Sequence, residues 1–319
     1  MKHTFQVTAL LIMIFVFTQI VGLYTVNRYL EVGKDVNGTV VVSYGNTTMG
    51  EPAYVPEQDR SYTFIIITIS ILIMTAILLL LIKFQLGNLW KYGFFLAVLF
   101  SLAVAFGVYI NKYIAIGAAL VLAYFKVFKP NPLTHNIVEI FLYAGIAILV
   151  LPLLNIYSAI GLLIVVSLYD MYAVWKSKHM ITLAKFQADN KAFAGLSIPY
   201  FRAEKEEKKG MKVVSVKKAK NVKINTGTVK TEMKPKTAIL GGGDIGFTLI
   251  FASVVMEMLI KSEGIAKIPA FFYSLIIVAF VTIALALLFM FSKKDKFYPA
   301  MPFLSAGCLV GFLAIMLII

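Results

Sequence analysis

The chain has few of the residues that metal sites and nucleophilic catalysis require. Among its 319 residues are three histidines and one cysteine. The single thiol, Cys308, can form neither an intrachain disulfide nor a cysteine-based metal cluster. No His-Glu-x-x-His motif occurs, and no histidine lies deep in an apolar run, which excludes that zinc site and a buried serine–histidine pair. We therefore expect neither a metal nor a cofactor.

Charge is also scarce, since only 14% of the residues are charged, whereas 60% are hydrophobic and the mean hydropathy is +0.85. That is more apolar surface than one soluble core can bury, and the charges cluster between apolar runs. The composition predicts an all-α, polytopic membrane protein with nine transmembrane helices. The predicted spans are 5–24, 62–82, 89–108, 113–128, 137–152, 156–175, 239–260, 269–291 and 298–319.

The distribution of basic residues predicts the orientation in the membrane. With the N-terminus in the cytoplasm, 24 of the 30 Lys and Arg residues lie on the cytoplasmic side, as the positive-inside rule requires. We expect a multi-pass protein of the cell membrane with its C-terminus outside. The predicted organisation is a six-span bundle over 1–175, a basic and largely flexible cytoplasmic loop over 176–236, and a three-span bundle over 237–319.

The predicted loop contains 16 of the basic residues. We find no nucleic-acid motif in it, and a solvated loop against anionic lipid accounts for its charge. Two β-branched stretches, Val213–Val216 and Val222–Ile224, are predicted as short strands.

Carboxylates inside a membrane are costly and need compensation. Four of the 16 acidic residues fall within predicted spans: Glu139, Asp170, Asp244 and Glu257. Glu139 lies one turn after His135, and Glu257 lies one turn before Lys261, so both are interpreted as interfacial helix pairs. Asp170 and Asp244 have no basic residue within four positions.

Asp170 and Asp244 are predicted to lie at similar depth. Asp170 precedes Lys176 by six residues and Asp244 follows Lys236 by eight, which at 1.5 Å per helical residue gives about 9 Å and about 12 Å. Two carboxylates a few ångströms apart share one proton. One can then act as a base for water while the other donates a proton to the attacked carbonyl oxygen.

The glycines before Asp244 are a second unusual feature, because each costs roughly 1 kcal/mol in a helix relative to alanine. Gly241, Gly242 and Gly243 either let a substrate approach the acid or let helices pack closely through Gly242 and Gly246. The sequence alone leaves both interpretations open.

Three motifs occur in order in the sixth, seventh and ninth predicted spans: Tyr169-Asp170, Gly241-Gly242-Gly243-Asp244 and Pro299-Ala300-Met301-Pro302. Together they resemble the presenilin and signal peptide peptidase family of intramembrane aspartyl proteases. The stretch Lys178–Ala184 is similar to archaeal presenilin homologues in particular. Met301 stands where the family has leucine, which is a volume-conserving change.

The resemblance implies that Asp170 and Asp244 are catalytic. It also implies that Tyr169, Gly241, Gly243, Pro299, Ala300 and Met301 shape the active site or bind substrate. The implied substrates are single-span membrane proteins or signal-peptide-like segments, cleaved within the lipid bilayer, and no obligatory partner subunit is indicated. The positive-inside count favours the presenilin orientation over the inverted one of signal peptide peptidase.

Two alternatives remain. A prepilin or preflagellin peptidase also uses Gly-x-Gly-Asp, but it usually has fewer spans and no proline motif in a ninth helix. A proton or cation transporter can also carry paired membrane carboxylates and broken helices. Such a transporter should contain two inverted halves, and we find none in the sequence.

Overall fold

A computed structural model describes residues 5–35, 40–53, 55–177, 179–190, 192–204, 232–292 and 298–319. The helices are α1 Phe5–Tyr29, α2 Glu57–Arg60, α3 Thr63–Lys83, α4 Gly87–Gly107, α5 Lys112–Phe128, α6 Pro132–Val150, α7 Ile156–Met171, α8 His179–Asp189, α9 Gly242–Lys261, α10 Lys267–Phe291 and α11 Met301–Ile318. The strands are β1 Leu30–Lys34, β2 Val40–Tyr44, β3 Gly195–Glu204 and β4 Glu232–Gly241. They form two antiparallel hairpins, β1–β2 and β3–β4.

Each of the nine predicted spans corresponds to a helix of this structure. Among the described residues, eight helices are long and apolar enough to cross a membrane: α1, α3, α4, α6, α7, α9, α10 and α11. The ninth, α5, has 17 residues and is about 26 Å long at 1.5 Å per residue. The predicted helical membrane architecture is confirmed, with the two hairpins added to it.

Helix α9 lies at the centre of the bundle. Within the most apolar part of α9, 72% of the residues are buried, against 6% for α3. It packs against α1, α6, α7, α10 and α11. Helix α1 comes close at Gly22, where a Cβ atom would lie 2.4 Å from Leu249 Cδ2 of α9. A bare α-carbon therefore permits this contact, as small residues do between membrane helices.

The turn between α6 and α7 is fixed by local sequence. Pro152 lies in a 3-10 turn directly after α6, where a proline cannot continue the helical hydrogen bonding. Asn155 then caps α7: its side chain accepts from Ser158 N at 2.9 Å, and Ser158 Oγ accepts from Asn155 N at 2.9 Å. This reciprocal capping box defines where α7 begins.

The segment predicted as a loop contains regular structure at both ends. Helix α8 lies in its first part, and β3 pairs with β4 over ten residues, from Gly195↔Gly241 to Glu204↔Glu232. The predicted span over 239–260 therefore begins too early, because its first apolar residues belong to β4. The strands predicted at Val213–Val216 and Val222–Ile224 lie outside the described residues, as does Lys178.

The C-terminal end of α9 is held by a buried ion pair that the sequence did not predict. Glu257 accepts from Tyr44 Oη at 2.6 Å and pairs with Arg60 Nη1 at 3.3 Å. Burial, with Glu257 alongside, raises the pKa of the Tyr44 phenol well above its usual value, so Tyr44 remains a donor. Lys261 instead pairs with the exposed Glu57 at 2.7 Å. The predicted Glu257–Lys261 helix pair is therefore wrong.

We expect Arg60→Leu to lower the free energy of unfolding by about 3–5 kcal/mol, because it leaves the Glu257 carboxylate buried without its cation. Thermal unfolding in detergent measures the effect. Glu57→Gln is the matched control, since it breaks an exposed pair worth at most about 1 kcal/mol. Equal shifts in the two variants would contradict the assignment of Arg60 as the anchor.

Candidate active site

Asp170 and Asp244 each lie where a helix meets irregular backbone. Asp170 is in the last turn of α7, just before a π-helical turn over Tyr172–Ser177. Asp244 is in the first turn of α9, directly after β4. The predicted depth of Asp244 assumed helical rise from Lys236, but residues up to Gly241 are extended. That step is wrong, because a strand rises about 3.3 Å per residue.

Both carboxylates nevertheless line one cavity of about 880 Å³. Its walls come from α3, α6, α7, α8, β4, α9 and α10, and from the segment before α11. Asp170 is buried and Asp244 is half-buried in this wall. The structure therefore places both predicted aspartates at one cavity.

The proline motif holds Asp170. The Met301 backbone N–H donates to Asp170 Oδ2 at 3.1 Å, and Met301 is the first residue of α11. The first N–H groups of a helix lack intrahelical partners and favour negative charge. Pro302, next in line, has no N–H to satisfy. Ala300 lines the cavity, while Pro299 and Met301 are buried beside it.

Space for a Cβ atom is tight at two of the three glycines before Asp244. A Cβ atom on Gly241 would lie 3.1 Å from Asp244 Oδ2, and one on Gly242 would lie 2.7 Å from Tyr143 Oη. The backbone of Gly241, at φ −61°, suits any residue. At Gly243 a Cβ would meet only Phe247, at an ordinary 3.7 Å. Gly243 is exposed to the cavity, so a methyl group there would occupy part of the cavity.

Tyr169, the neighbour of Asp170, also lines the cavity. Its hydroxyl donates to Thr75 Oγ1 of α3 at 3.3 Å. This contact joins α3 to α7, although α3 is otherwise mostly exposed. The predicted site residues of all three motifs are thus brought together at one cavity or directly beside it.

Helix α6 contributes residues that the sequence analysis missed. His135, Glu139 and Tyr143 follow one another at spacings of four, so they share one face of the helix. Tyr143 is buried, lines the cavity, and points its hydroxyl at Gly242. The regular spacing of polar residues in an apolar span was the signal that could have revealed this face.

Glu139 is not interfacial as predicted. It is completely buried and forms an ion pair with the equally buried Lys126 of α5. His135 Nε2 lies 3.7 Å from the same carboxylate oxygen, Oε1. The sequence interpretation identified the His135 contact but missed the cation on the neighbouring helix.

The β3–β4 hairpin lies between α6 and the cavity. On the α6 side, Asn136 Nδ2 donates to Ser197 O at 2.8 Å, and Ser197 N donates to Asn136 Oδ1 at 3.0 Å. On the other side, Thr237, Ile239 and Gly241 of β4 line the cavity. The hairpin therefore connects α6 to the wall that contains Asp244.

Comparison with known protein families identifies the chain. The family model described as signal-peptide peptidase, presenilin aspartyl protease matches residues 54–319. The chain therefore belongs to this family of aspartyl proteases. It is an intramembrane aspartyl protease, as predicted, and neither a prepilin-type peptidase nor a transporter.

Solved structures give the same fold. The chain is similar to a presenilin family intramembrane aspartate protease solved in space group C222, with a TM-score of 0.57, 15% identity, and coverage of 98% of this chain and 99% of that one. A structure of a presenilin family protease in space group P2 gives 0.57, 17%, and 97% of both chains. Comparison with curated protein sequences finds no match.

We expect Gly243→Ala to lower the rate of substrate cleavage at least about tenfold while leaving stability unchanged or raised by up to about 1 kcal/mol, since alanine favours helix. The methyl group would project into the cavity beside Asp244. Cleavage of a membrane-helix substrate and thermal unfolding are measured on the same preparation.

Gly117→Ala serves as the control, because Gly117 is an exposed position of α5 where a Cβ meets nothing within 4 Å. It should match Gly243→Ala in stability and keep full activity. Normal cleavage by the Gly243→Ala protein would contradict the expectation that a side chain at this position obstructs the cavity.

Proposed function

We propose that Asp170 and Asp244 are the catalytic pair of this intramembrane protease and that the cavity between α7 and α9 receives the peptide bond to be cleaved. The observation that carries the proposal is that both carboxylates line one cavity. Tyr169, Gly241, Gly243 and Ala300 line the same cavity and are proposed to shape it. Pro299 and Met301 are proposed to act through Asp170, whose carboxyl group accepts the Met301 N–H.

In the proposed mechanism the two carboxyl groups hold one proton between them. The ionised group takes a proton from a water molecule as the water attacks the peptide carbonyl carbon. The protonated group donates to the carbonyl oxygen, and a proton then passes to the departing amine. The bond between carbonyl carbon and nitrogen breaks, giving a carboxylic acid and an amine, and no covalent enzyme intermediate forms.

The proposed substrates are single-span membrane proteins or signal-peptide-like segments. A helical substrate hides its peptide carbonyls in its own hydrogen bonds, so it must unwind before water can attack. Unwinding leaves backbone groups that need partners, and the edge of β4 can supply them by strand addition. Support comes from Thr237 and Ile239, which lie in the cavity wall seven and five residues before Asp244.

The proposed orientation places the N-terminus and segment 176–236 in the cytoplasm and the C-terminus outside. Its support is the excess of Lys and Arg on the proposed cytoplasmic side, 24 of 30. Asp170 and Asp244 lie at the ends of α7 and α9 that face the 176–236 segment. The proposed active site is therefore near the cytoplasmic side of the bilayer.

We expect Asp170→Asn and Asp244→Asn each to reduce cleavage by the purified chain in liposomes by a factor of about 1,000 or more, because either change removes a proton-transfer group. Thermal unfolding should remain cooperative in both. Asn is close in size to Asp, so packing is preserved.

Glu139→Gln is the comparison for losing a buried carboxylate outside the proposed pair. It should affect stability more than the chemical step. Near-normal turnover by either aspartate variant would exclude this pair, and activity of the purified wild-type chain would show that no partner subunit is needed.

Two variants that each add one cysteine test the orientation, since the chain's natural cysteine, Cys308, is buried. Asn46→Cys, in the exposed segment between β2 and α2, should react with a membrane-impermeant thiol reagent only from outside the cell. Lys185→Cys, at an exposed position of α8, should react only after the membrane is opened. The reverse pattern would place this chain in the signal peptide peptidase orientation.

A further inference from the structure

We propose that Asn136 and His135 of α6 are positioning residues for the substrate. They hold the outer edge of β3, so that the opposite edge of the hairpin, on β4, is presented in a fixed register beside Asp244. This inference rests on the proposed function, because it concerns how the substrate strand is placed.

Two consecutive residues of α6 bind alternate residues of β3. His135 Nε2 donates to the Gly195 carbonyl oxygen at 2.8 Å. Asn136 binds both backbone groups of Ser197, at 2.8 Å to the carbonyl oxygen and 3.0 Å from the N–H. The carboxamide thus makes the two hydrogen bonds that a neighbouring strand would make. A side chain has replaced a strand at this edge of the sheet.

These contacts determine which backbone groups of β4 are free to bind a partner. In an antiparallel pair, two directly opposite residues point their backbone N–H and C=O groups either toward each other or both away from the pair. The backbone groups of Ser197 point away from β4, toward Asn136, and Ser197 lies directly opposite Ile239. Ile239 therefore directs its backbone groups to the outer edge of β4. Thr237 does the same, because the direction of the backbone groups repeats at every second residue of a strand. Both residues line the catalytic cavity.

His135 is itself supported by buried charge. Its Nε2 lies 3.7 Å from Glu139 Oε1, and Glu139 forms an ion pair with Lys126 of α5. All three side chains are buried. The imidazole also stacks near Phe193, with ring centroids 4.5 Å apart. The His135 side chain is thus held in place by contacts with α5 and with the residues just before β3.

Gly195 is suited to the observed register of the hairpin. Gly195 has φ +141°, and a Cβ atom there would lie 2.3 Å from the Leu240 carbonyl oxygen. Only glycine fits this position. A shift of one residue would send Ile239 away from the cavity edge and turn each side chain to the other face. The Asn136 and His135 contacts oppose that shift.

The test uses the full chain in liposomes with a single-span substrate whose products are identified by mass spectrometry. Asn136→Leu should raise KM about tenfold, as expected for losing two hydrogen bonds, with kcat within about twofold. Its products should also spread over neighbouring peptide bonds, because the substrate strand is no longer held in one register. A merely structural role would not move the cleavage position.

Asn27→Leu is the matched control. Asn27 is also half-buried and donates to a backbone carbonyl, Lys267 O, at 2.8 Å, but at the other end of the bundle. It should cleave the same bond as the wild type with unchanged KM. A folded Asn136→Leu protein with wild-type KM and a single product would overturn the proposal, as would the same shift in both variants.

Asn136→Asp covers the case in which Asn136→Leu does not fold. It keeps an acceptor for Ser197 N–H but places a second oxygen against Ser197 O, so hydrogen exchange at the Ser197 amide should quicken and products should again spread. Unchanged exchange and an unchanged cleavage site would refute the role of Asn136. Absence of cleavage by the wild-type chain would instead refute the proposed function, and the exchange measurement would still decide whether Asn136 holds β3.

Discussion

Backbone N–H and C=O groups cannot be left without partners in a lipid bilayer, and neither can carboxylates. In this protein the irregular backbone occurs where Asp170 and Asp244 lie: a π-helical turn follows Asp170, and the end of a strand precedes Asp244. The N-terminus of α11 supplies the N–H that Asp170 accepts, and α6 supplies the side chains that satisfy β3. These contacts give partners to polar groups beside the cavity.

Helix α9 links this site to the opposite face of the bundle. Asp244 is in its first turn and Glu257 near its last, thirteen residues apart, or about 20 Å along the axis. Glu257 is buried and bound by Arg60 and Tyr44 from the segments that precede α3. Because an α-helix does not stretch, a fixed C-terminal end of α9 also fixes the axial position of Asp244. The ion pair and the aspartate therefore belong to one rigid element, packed against five other helices.

The sequence was sufficient for features that depend on residue type and order. The nine apolar runs predicted the spans, and intramembrane acids without helical partners singled out Asp170 and Asp244. It was insufficient where the partner comes from a distant segment. Glu257 was paired with Lys261 by proximity on one helix, yet Arg60, 197 residues away, is its partner. The apolar residues of β4 were assigned to a helix, since a short apolar run suits either structure. Tyr143 was missed because only packing brings α6 against Gly242.

The exposed edge of a strand is normally a liability, because its unpaired backbone groups invite association. The β3–β4 hairpin has two such edges beside the membrane, and the protein treats them differently. Asn136 and His135 close the edge on β3 with side-chain hydrogen bonds, whereas the edge on β4 faces the cavity. An unwound substrate also has unpaired backbone groups, because its own helical hydrogen bonds are broken. Pairing the two satisfies both sets of groups at once. Under the proposed function, this pairing lowers the energetic cost of unwinding a substrate beside Asp170 and Asp244.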